Sequence, residues 1–352
     1  MSKKKPLSRG QLRRMQSNHQ KKLHRSQQNK PESDIQDSAL GPEQAGKVIS
    51  RFGQHADIEI QTGKTVRCNI RRTIPSLVCG DNVIVRLDED TSASIAGVVE
   101  AVHPRTSSLN RPDLYDGIKI IASNIDQILI VSSILPVFST QIIDRYIVAA
   151  EDTGIKPIII LNKIDLMTDD QKDDIENALA RYKAIGYRVY QVSSKLKDGL
   201  EVIQNLLKNK ISIFAGQSGV GKSSLINALL PEAELIIGDV SENSGLGQHT
   251  TTTAKLIHLP SGGDLIDSPG VREFALWHLP AERVAWCFTE FRDFLGGCKF
   301  RDCKHKDDPG CNLKGALEQG NITADRFSNY HKIIASLDEQ RHARQFRMNT
   351  DE

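Results

Sequence analysis

Residues 216–223 combine glycines with a lysine and a hydroxyl side chain in the pattern G-x-x-x-x-G-K-[ST]. They follow a short β-branched and aromatic run, 211–215, and precede a helical pattern over 222–230. Glycine lets backbone N–H groups approach a phosphate closely, and a helix N-terminus adds partial positive charge. The pattern predicts a phosphate-binding loop of Gly216, Gln217, Ser218, Gly219, Val220, Gly221, Lys222 and Ser223, with Ser224 beginning the helix.

Two side chains of this loop have expected roles. We expect Lys222 to neutralise the β- and γ-phosphates of a nucleotide and the Ser223 hydroxyl to ligate Mg²⁺. The loop by itself does not distinguish ATP from GTP.

Base selectivity is predicted from Asn162, Lys163, Ile164 and Asp165, which follow a predicted buried strand, 157–161. Asp165 can accept hydrogen bonds from N1–H and from the 2-amino group of guanine. Adenine offers neither donor, and a buried charged acceptor left unpaired costs at least ~1–3 kcal/mol. The sequence therefore predicts a GTP and GDP site in which Asn162 holds the neighbouring loop and the Lys163 stem covers the base.

Two further loops complete the expected site. Ser193, Ser194 and Lys195 follow a strand and match a loop whose backbone N–H groups contact guanine O6, although a helix N-cap is an equal alternative for either serine. Asp267-Ser-Pro-Gly270 follows the strand 264–266 and matches D-x-x-G. There we expect Asp267 to reach Mg²⁺ through water and Gly270 to contact the γ-phosphate.

A Gly- and Thr-rich stretch, 241–253, has the composition of a flexible loop and lies where a first switch is expected. Either Thr250 or Thr251 would ligate Mg²⁺ when the γ-phosphate is present, and four consecutive threonines leave the choice open.

The position after D-x-x-G is Val271, where many GTPases place a glutamine that orients the attacking water. Valine cannot do so, and His249 is the candidate to replace it because imidazole can orient or accept from water near neutral pH. A solvent-exposed loop histidine without a catalytic role is the alternative.

The order of these motifs is unusual. Base-recognition motifs normally follow the phosphate loop, but here Asn162 and Ser193 precede Gly216. Each motif lies at the carboxyl end of a predicted parallel strand, so spatial neighbourhood and not chain order defines the site. The sequence therefore predicts a circularly permuted GTPase domain whose second switch leads directly into the C-terminal segment.

Three cysteines and one histidine lie within fourteen residues near the C-terminus, as Cys298, Cys303, His305 and Cys311. Four such ligands can close a tetrahedral Zn²⁺ site that leaves no open position. We expect one structural zinc ion there, surrounded by basic side chains that could face RNA. The other cysteines, Cys68, Cys79 and Cys287, are expected in the core.

The predicted elements give a multidomain fold class. Five short strands within 46–110 suit a small β-barrel of the OB-fold type, with an SH3-like barrel as the alternative. Residues 111–277 alternate strands and helices as a doubly wound α/β P-loop GTPase domain, circularly permuted. Residues 278–352 form the expected zinc-binding α-helical domain, and residues 1–45 a disordered basic tail and linker.

Charge is distributed unevenly along the 352 residues. Residues 1–30 contain ten Lys or Arg and no acidic residue, although the formal net charge of the whole chain is only +2. Such a tail can bind phosphate backbones by counterion release, or can simply be a solvated segment. No apolar run approaches the length of a membrane span, so we expect a cytoplasmic protein without a membrane partner. We also expect the protein to be a monomer.

The motifs G-Q-S-G-V-G-K-S-S from Gly216, G-L-G-Q-H-T-T from Gly245 and D-S-P-G-V-R-E-F from Asp267 resemble, nearly letter for letter, the bacterial circularly permuted GTPases that depend on the small ribosomal subunit, the RsgA/YjeQ family. The resemblance covers nearly the whole chain. It implies an OB-fold domain and GTP hydrolysis to GDP stimulated by the small (30S) ribosomal subunit, with ribosomal RNA as a partner. It also implies a role in late maturation of that subunit and histidine-assisted hydrolysis. The alternative is a nucleotide-gated RNA- or protein-binding module in which hydrolysis is incidental.

Overall fold

The computed structural model describes residues 40–88, 95–113, 117–230, 254–267, 276 and 278–350. Of the predicted tail and linker at residues 1–45, residues 1–39 lie outside this part of the chain, and residues 40–45 belong to the first strand. These residues form two compact units. The first unit contains the described residues up to Leu109, together with Ile120–Asn124 and residues 254–257. The second unit contains the remaining described residues. The domain boundaries given above stay a prediction.

The first unit is a closed five-stranded barrel. Its strands are β1 (Leu40–Phe52), β2 (His55–Ile60), β3 (Thr65–Ile70), β4 (Asn82–Asp88) and β5 (Gly97–Val102). They pair in the order β1-β2-β3-β5-β4, and β4 closes on β1; only the β3–β5 pair within the barrel is parallel. Alternate residues point inward, as the burial along β2 shows, so this order confirms the predicted OB-type barrel. Strand β1 begins at Leu40 rather than at Gly46, because its polar first half pairs with β4.

Two strands follow those of the barrel along the chain. Strands β6 (Ser108–Asp113) and β7 (Gly117–Ser123) form a separate two-stranded sheet. In the first unit, Asp81 is fully buried. Its carboxylate accepts two hydrogen bonds from the Arg105 guanidinium, at 2.7 and 2.8 Å. It also accepts from the Ser123 hydroxyl at 2.6 Å and from the Val78 N–H at 2.8 Å. This buried carboxylate therefore joins three separate segments of the unit.

The second unit is built on a parallel sheet. Its strands are β8 (Gln127–Ser133), β9 (Lys156–Asn162), β10 (Arg188–Gln191), β11 (Ile211–Ala215) and β13 (Asp264–Asp267). Strand β12 (Lys255–His258) belongs mostly to the first unit, where Lys255 is in register with Ser50 of β1. The parallel order is β10-β9-β8-β11-β13. Every residue of β8 is buried, as expected for a strand covered on both faces. The order confirms the predicted doubly wound α/β domain.

Among the described residues, four helices lie between these strands along the chain: α1 (Thr140–Thr153), α2 (Asp169–Ile185), α3 (Lys197–Leu207) and α4 (Lys222–Leu229). Helix α1 begins where the Ser139 hydroxyl accepts from the Ile142 N–H, and it ends at Gly154, which has a positive φ of 72° that glycine adopts without strain. Helix α2 packs on the sheet through Ile175 and Leu179, which form one buried cluster with Leu161 of β9.

The C-terminal elements pack on α1. They are α5 (Ala281–Cys287), a 3₁₀ turn (Thr289–Phe294), α6 (Asn312–Glu318) and the long helix α7 (Ala324–Thr350). Phe288 and Phe291 stack with ring centroids 4.8 Å apart and form a buried cluster with residues of α7 and with Val148 of α1. The three unclustered cysteines are buried, as predicted. Among the described residues, no helix has both the length and the apolar character needed to cross a bilayer.

We expect Asp81→Asn to destabilise the barrel unit. The exchange leaves the Arg105 guanidinium with no balancing charge in a buried setting, and breaking such a pair costs about 3–5 kcal/mol. Calorimetric unfolding of the purified chain measures the loss. Asp88→Asn, at an exposed carboxylate of β4, is the control and should change the unfolding temperature little. Equal unfolding temperatures for both variants would contradict the assigned role of Asp81.

Candidate nucleotide site and metal cluster

The carboxyl edge of the parallel sheet gathers the predicted motifs. Ser133, the last residue of β8, is in register with Asn162, the last residue of β9. Strand β11 lies on the other side of β8 and leads into the loop at Gly216. Asp267 ends β13, the neighbour of β11, and the structure thus brings predicted motifs from β9, β11 and β13 to one edge.

The loop 216–223 has the backbone that its glycines allow. Gly216 has a φ of 147°, and a Cβ atom there would overlap the Val131 carbonyl oxygen. Gly221 has a φ of 95°, and a Cβ atom there would overlap the Asn162 side-chain nitrogen. The Lys222 ammonium donates to the carbonyl oxygens of Gly216 and Gln217, each at 2.6 Å, and is thereby held across the loop.

Asn162 joins two of the loops. Its side chain is fully buried, and its amide nitrogen donates to the Val220 carbonyl oxygen at 3.0 Å. Its amide oxygen accepts from the Ser194 N–H at 3.3 Å. One short side chain therefore fixes the spacing between the 216–223 loop and the serine loop.

Lys163 joins a third loop to these two. Its backbone is left-handed, with a φ of 61°, and its ammonium donates to the Gly219 carbonyl oxygen at 2.5 Å and to the Leu135 carbonyl oxygen at 2.7 Å. Leu135 belongs to the loop after β8, which sequence reasoning missed. The position of that loop at the carboxyl end of the central strand was the available signal.

The Asp165 carboxylate is oriented by the serine loop. The Ser193 hydroxyl donates to it at 2.7 Å, and the Lys195 ammonium lies 3.4 Å from its second oxygen. The bond from Ser193 is the main reason that the pKa of Asp165 is lowered, and Lys195 adds to the effect. Asp165 is thus an ionised acceptor at neutral pH. The Ser193 hydroxyl also accepts from the Lys195 N–H at 3.2 Å.

The remaining predicted residues fall into two groups. Ser218, Ser223 and Ser224 are exposed, whereas Ile164 and Asp267 are partly buried. The predicted switch and hydrolysis residues His249, Thr250, Thr251 and Gly270 lie outside the described residues. So do Ser268 and Pro269, which precede Gly270, and therefore the expected link from the second switch to the C-terminal segment stays a prediction.

The predicted metal ligands do come together. The ligand atoms of Cys298, Cys303, His305 and Cys311 all lie within 4.8 Å of one another. Each of the three sulfur atoms is 3.5 Å from His305 Nδ1. Desolvation raises the pKa of the Cys303 thiol to about 12 in the absence of an ion. The cluster can hold one metal ion, with every ligand supplied by the protein.

Neighbouring groups fix the ligands of this cluster. The Asn312 N–H points at Cys298 Sγ at 3.4 Å, and the His331 ring nitrogen Nε2 lies 3.0 Å from the His305 carbonyl oxygen. The Asp308 carboxylate accepts from the N–H groups of Lys304 and Lys306. Outer groups of this kind commonly orient metal ligands. The sequence spacing had indicated the ligands but not these partners.

Fold and site together define a class of protein. A phosphate-loop GTPase domain carries the motifs predicted to recognise the base ahead of its glycine-rich loop, and along the chain it lies between a barrel and a Cys/His cluster. Residues 102–277 match the protein family described as RsgA GTPase. The chain belongs to the RsgA GTPase family.

Curated relatives match along the whole length. The chain is 75% identical over 354 aligned residues to the small ribosomal subunit biogenesis GTPase RsgA of Shewanella oneidensis, with 100% of both chains covered. It is 58% identical to the protein of the same name from Serratia proteamaculans, with 96% of both chains covered.

Two solved structures share the fold. YjeQ from Thermotoga maritima is 32% identical with a TM-score of 0.69, and the match covers 84% of this chain and 99% of that one. YloQ, described as a circularly permuted GTPase, is 29% identical with a TM-score of 0.66, and the match covers 88% of this chain and 99% of that one. The permuted order read from the motifs is thus shared with a solved relative.

We expect Cys303→Ser to abolish metal retention. A serine hydroxyl is a poor replacement for a thiolate ligand, and a four-ligand site loses closure when one ligand is removed. Metal content of the purified protein, measured by plasma mass spectrometry, should fall from one ion per chain to nearly none. Cys287→Ala is the control, since Cys287 is buried but is not one of the four clustered ligands, and its loss should leave the metal content intact. Equal metal content in both variants would contradict the ligand set.

Proposed function

We propose that this protein binds GTP and hydrolyses it to GDP and phosphate during maturation of the small ribosomal subunit. The observation that carries the nucleotide proposal is the bridge made by Asn162 between the Val220 carbonyl and the Ser194 N–H. That bridge sets a base-binding loop and a phosphate-binding loop side by side at one sheet edge. A guanine nucleotide lying along this edge would meet both loops.

Guanine selectivity is assigned to Asp165. Its carboxylate is ionised and already oriented by Ser193, so that it can accept from N1–H and the 2-amino group without rearrangement. The stem of Lys163, held between Leu135 and Gly219, is proposed to cover one face of the base. The N–H groups of the serine loop are proposed to donate to O6.

Phosphate binding is assigned to the loop 216–223. Lys222 now donates to two loop carbonyls, and phosphate oxygens are proposed to take over those bonds. The exposed Ser223 hydroxyl and the Asp267 carboxylate are oxygen donors of the kind that Mg²⁺ prefers, and Mg²⁺ supplies positive charge to the phosphates when bound. Thr250 or Thr251 and Gly270 complete this proposal.

Hydrolysis is assigned to His249, which is proposed to orient or accept from the attacking water. Val271 stands where a glutamine would otherwise do this, so we expect slow turnover by the chain alone. The small subunit is proposed to bring the histidine into place.

The partner proposed for the chain is the small ribosomal subunit. The relatives described above are named for biogenesis of that subunit. The ten basic residues within residues 1–30 supply charge suited to ribosomal RNA. We propose contact with that RNA through the tail, the barrel and the loop around the metal cluster, by a monomer in the cytoplasm.

The metal is proposed to be Zn²⁺ in a structural role. A tetrahedral ion with Zn–S near 2.3 Å and Zn–N near 2.0–2.1 Å requires sulfur–nitrogen separations of about 3.5 Å. All three separations from His305 Nδ1 in the cluster are 3.5 Å. The ion would hold the loop between the 3₁₀ turn and α6, a loop without an apolar core of its own.

We expect Asp165→Asn to weaken GTP binding by roughly 10–100-fold, because a hydrogen bond to a charged group contributes ~1.5–3 kcal/mol. The amide offers one acceptor and one donor, which suits xanthine better than guanine, so affinity for xanthosine triphosphate should rise. Titration calorimetry with both nucleotides measures the exchange. The control is Asp169→Asn, at an exposed carboxylate four residues on. Unchanged preference for GTP in Asp165→Asn would rule out the assignment.

We expect purified small ribosomal subunits to increase GTP turnover, and His249→Ala to lose most of that increase while GTP affinity is kept. Phosphate release measured with and without subunits decides the first point, with large subunits as the control. An absence of stimulation would leave a nucleotide-gated binding module as the better description. Full stimulation of His249→Ala would refute the role of the histidine alone.

A further inference from the structure

A buried polar cluster joins the C-terminal helix α7 to the first helix of the GTPase domain. We propose that Arg326 of α7 is a positioning residue for the nucleotide site, acting through Asp144 and the N-terminal turn of α1. The inference rests on the proposed function, since it concerns affinity for a guanine nucleotide. It assigns to the C-terminal helix an effect, transmitted through α1, on the base-recognition side of the site.

Arg326 binds two carboxylates at once. Its guanidinium donates to Asp144 at 2.6 Å, and to both oxygens of Glu290 at 2.6 and 2.9 Å. Asp144 is fully buried and Arg326 is 3% exposed. The guanidinium also lies 4.3 Å from the centre of the Phe288 ring. A planar guanidinium that makes three such bonds fixes the distance and angle between α7, the 3₁₀ turn and α1 more tightly than an apolar contact would.

Two more side chains form hydrogen bonds with the same turn of α1. Asn329, one helical turn after Arg326, donates to Asp144 at 2.7 Å and to the Thr140 hydroxyl at 3.1 Å. Tyr182 of α2 donates to Asp144 at 2.6 Å and to the Thr140 carbonyl at 3.2 Å. Asn329 and Tyr182 are both buried. The first residue of α1 is therefore held by the C-terminal helix as well as by its own domain.

The first turn of α1 directly follows the loop after β8, and that loop contacts Lys163. Ser139 caps α1, and Leu135 lies only five residues before Thr140. The Leu135 carbonyl accepts from Lys163 at 2.7 Å, and Pro136 lies close to Gly219 of the phosphate loop. A shift of the first turn of α1 therefore moves an acceptor of Lys163, the residue proposed to cover guanine.

The consequence is a thermodynamic coupling. If the arrangement of α7 on α1 favours the nucleotide-binding position of the Leu135 loop, a bound nucleotide favours that arrangement by the same factor. A partner that moves the C-terminal helix would change nucleotide affinity without touching the nucleotide. This coupling runs from Arg326 through Asp144 to the first turn of α1, and it is separate from the expected link through the second switch.

The test is titration calorimetry with GDP on the full chain loaded with its metal. Arg326→Gln should weaken GDP binding by about tenfold, within the usual range of coupling between sites. Arg326→Lys, which keeps the charge, should recover part of the loss. The control is Arg283→Gln, which removes an ion pair to Asp152 at the far end of α1 and should bind GDP as the wild type does.

Hydrogen exchange provides a readout that general loss of stability would not reproduce. Exchange should rise at the peptide containing Leu135 in Arg326→Gln and stay unchanged in Arg283→Gln. If Arg326→Gln does not fold, Thr140→Val takes its place, because it removes only the hydroxyl that accepts from Asn329. Thr140→Val should also weaken GDP binding. Wild-type GDP affinity in the folded variants overturns the inference. Failure of the wild type to bind GDP would instead refute the proposed function.

Discussion

The proposed nucleotide site depends on one buried amide. Asn162 donates to the phosphate loop at Val220 and accepts from the serine loop at Ser194, and its own side chain is fully buried. A buried amide that loses a partner is costly, so each loop is held in place by the need to satisfy the other. The same spacing leaves no room for a side chain at Gly221, which explains the third glycine of the loop.

This constraint also explains why the permuted motif order is compatible with a working site. Asn162 and Val220 are 58 residues apart, and their contact is the same whichever of them comes first. The permutation has its effect elsewhere. It leaves the C-terminal elements to follow β13, and they pack on α1 through Val148 and through the Arg326–Asp144 pair.

Much of the fold could be predicted because its signals are local. Strand β11 and helix α2 begin and end where apolar patterning predicts, and the metal ligands lie close in sequence. The first half of β1 could not be predicted, because it is polar and owes its extended form to pairing with β4, as in the Glu43–Arg86 register. Nor could the Arg326–Asp144 pair, whose partners are 182 residues apart. A charge in a helical pattern is normally solvent-exposed, and only tertiary packing determines that this one is buried.

The measurement that tests the central role of Asn162 most directly is GDP affinity of Asn162→Ala, with thermal unfolding followed in parallel. The account predicts that GDP binding falls by roughly tenfold or more, as expected when a pair of buried hydrogen bonds is lost, while the barrel and the metal content are retained. GDP affinity equal to that of the wild type in a folded Asn162→Ala protein would contradict it.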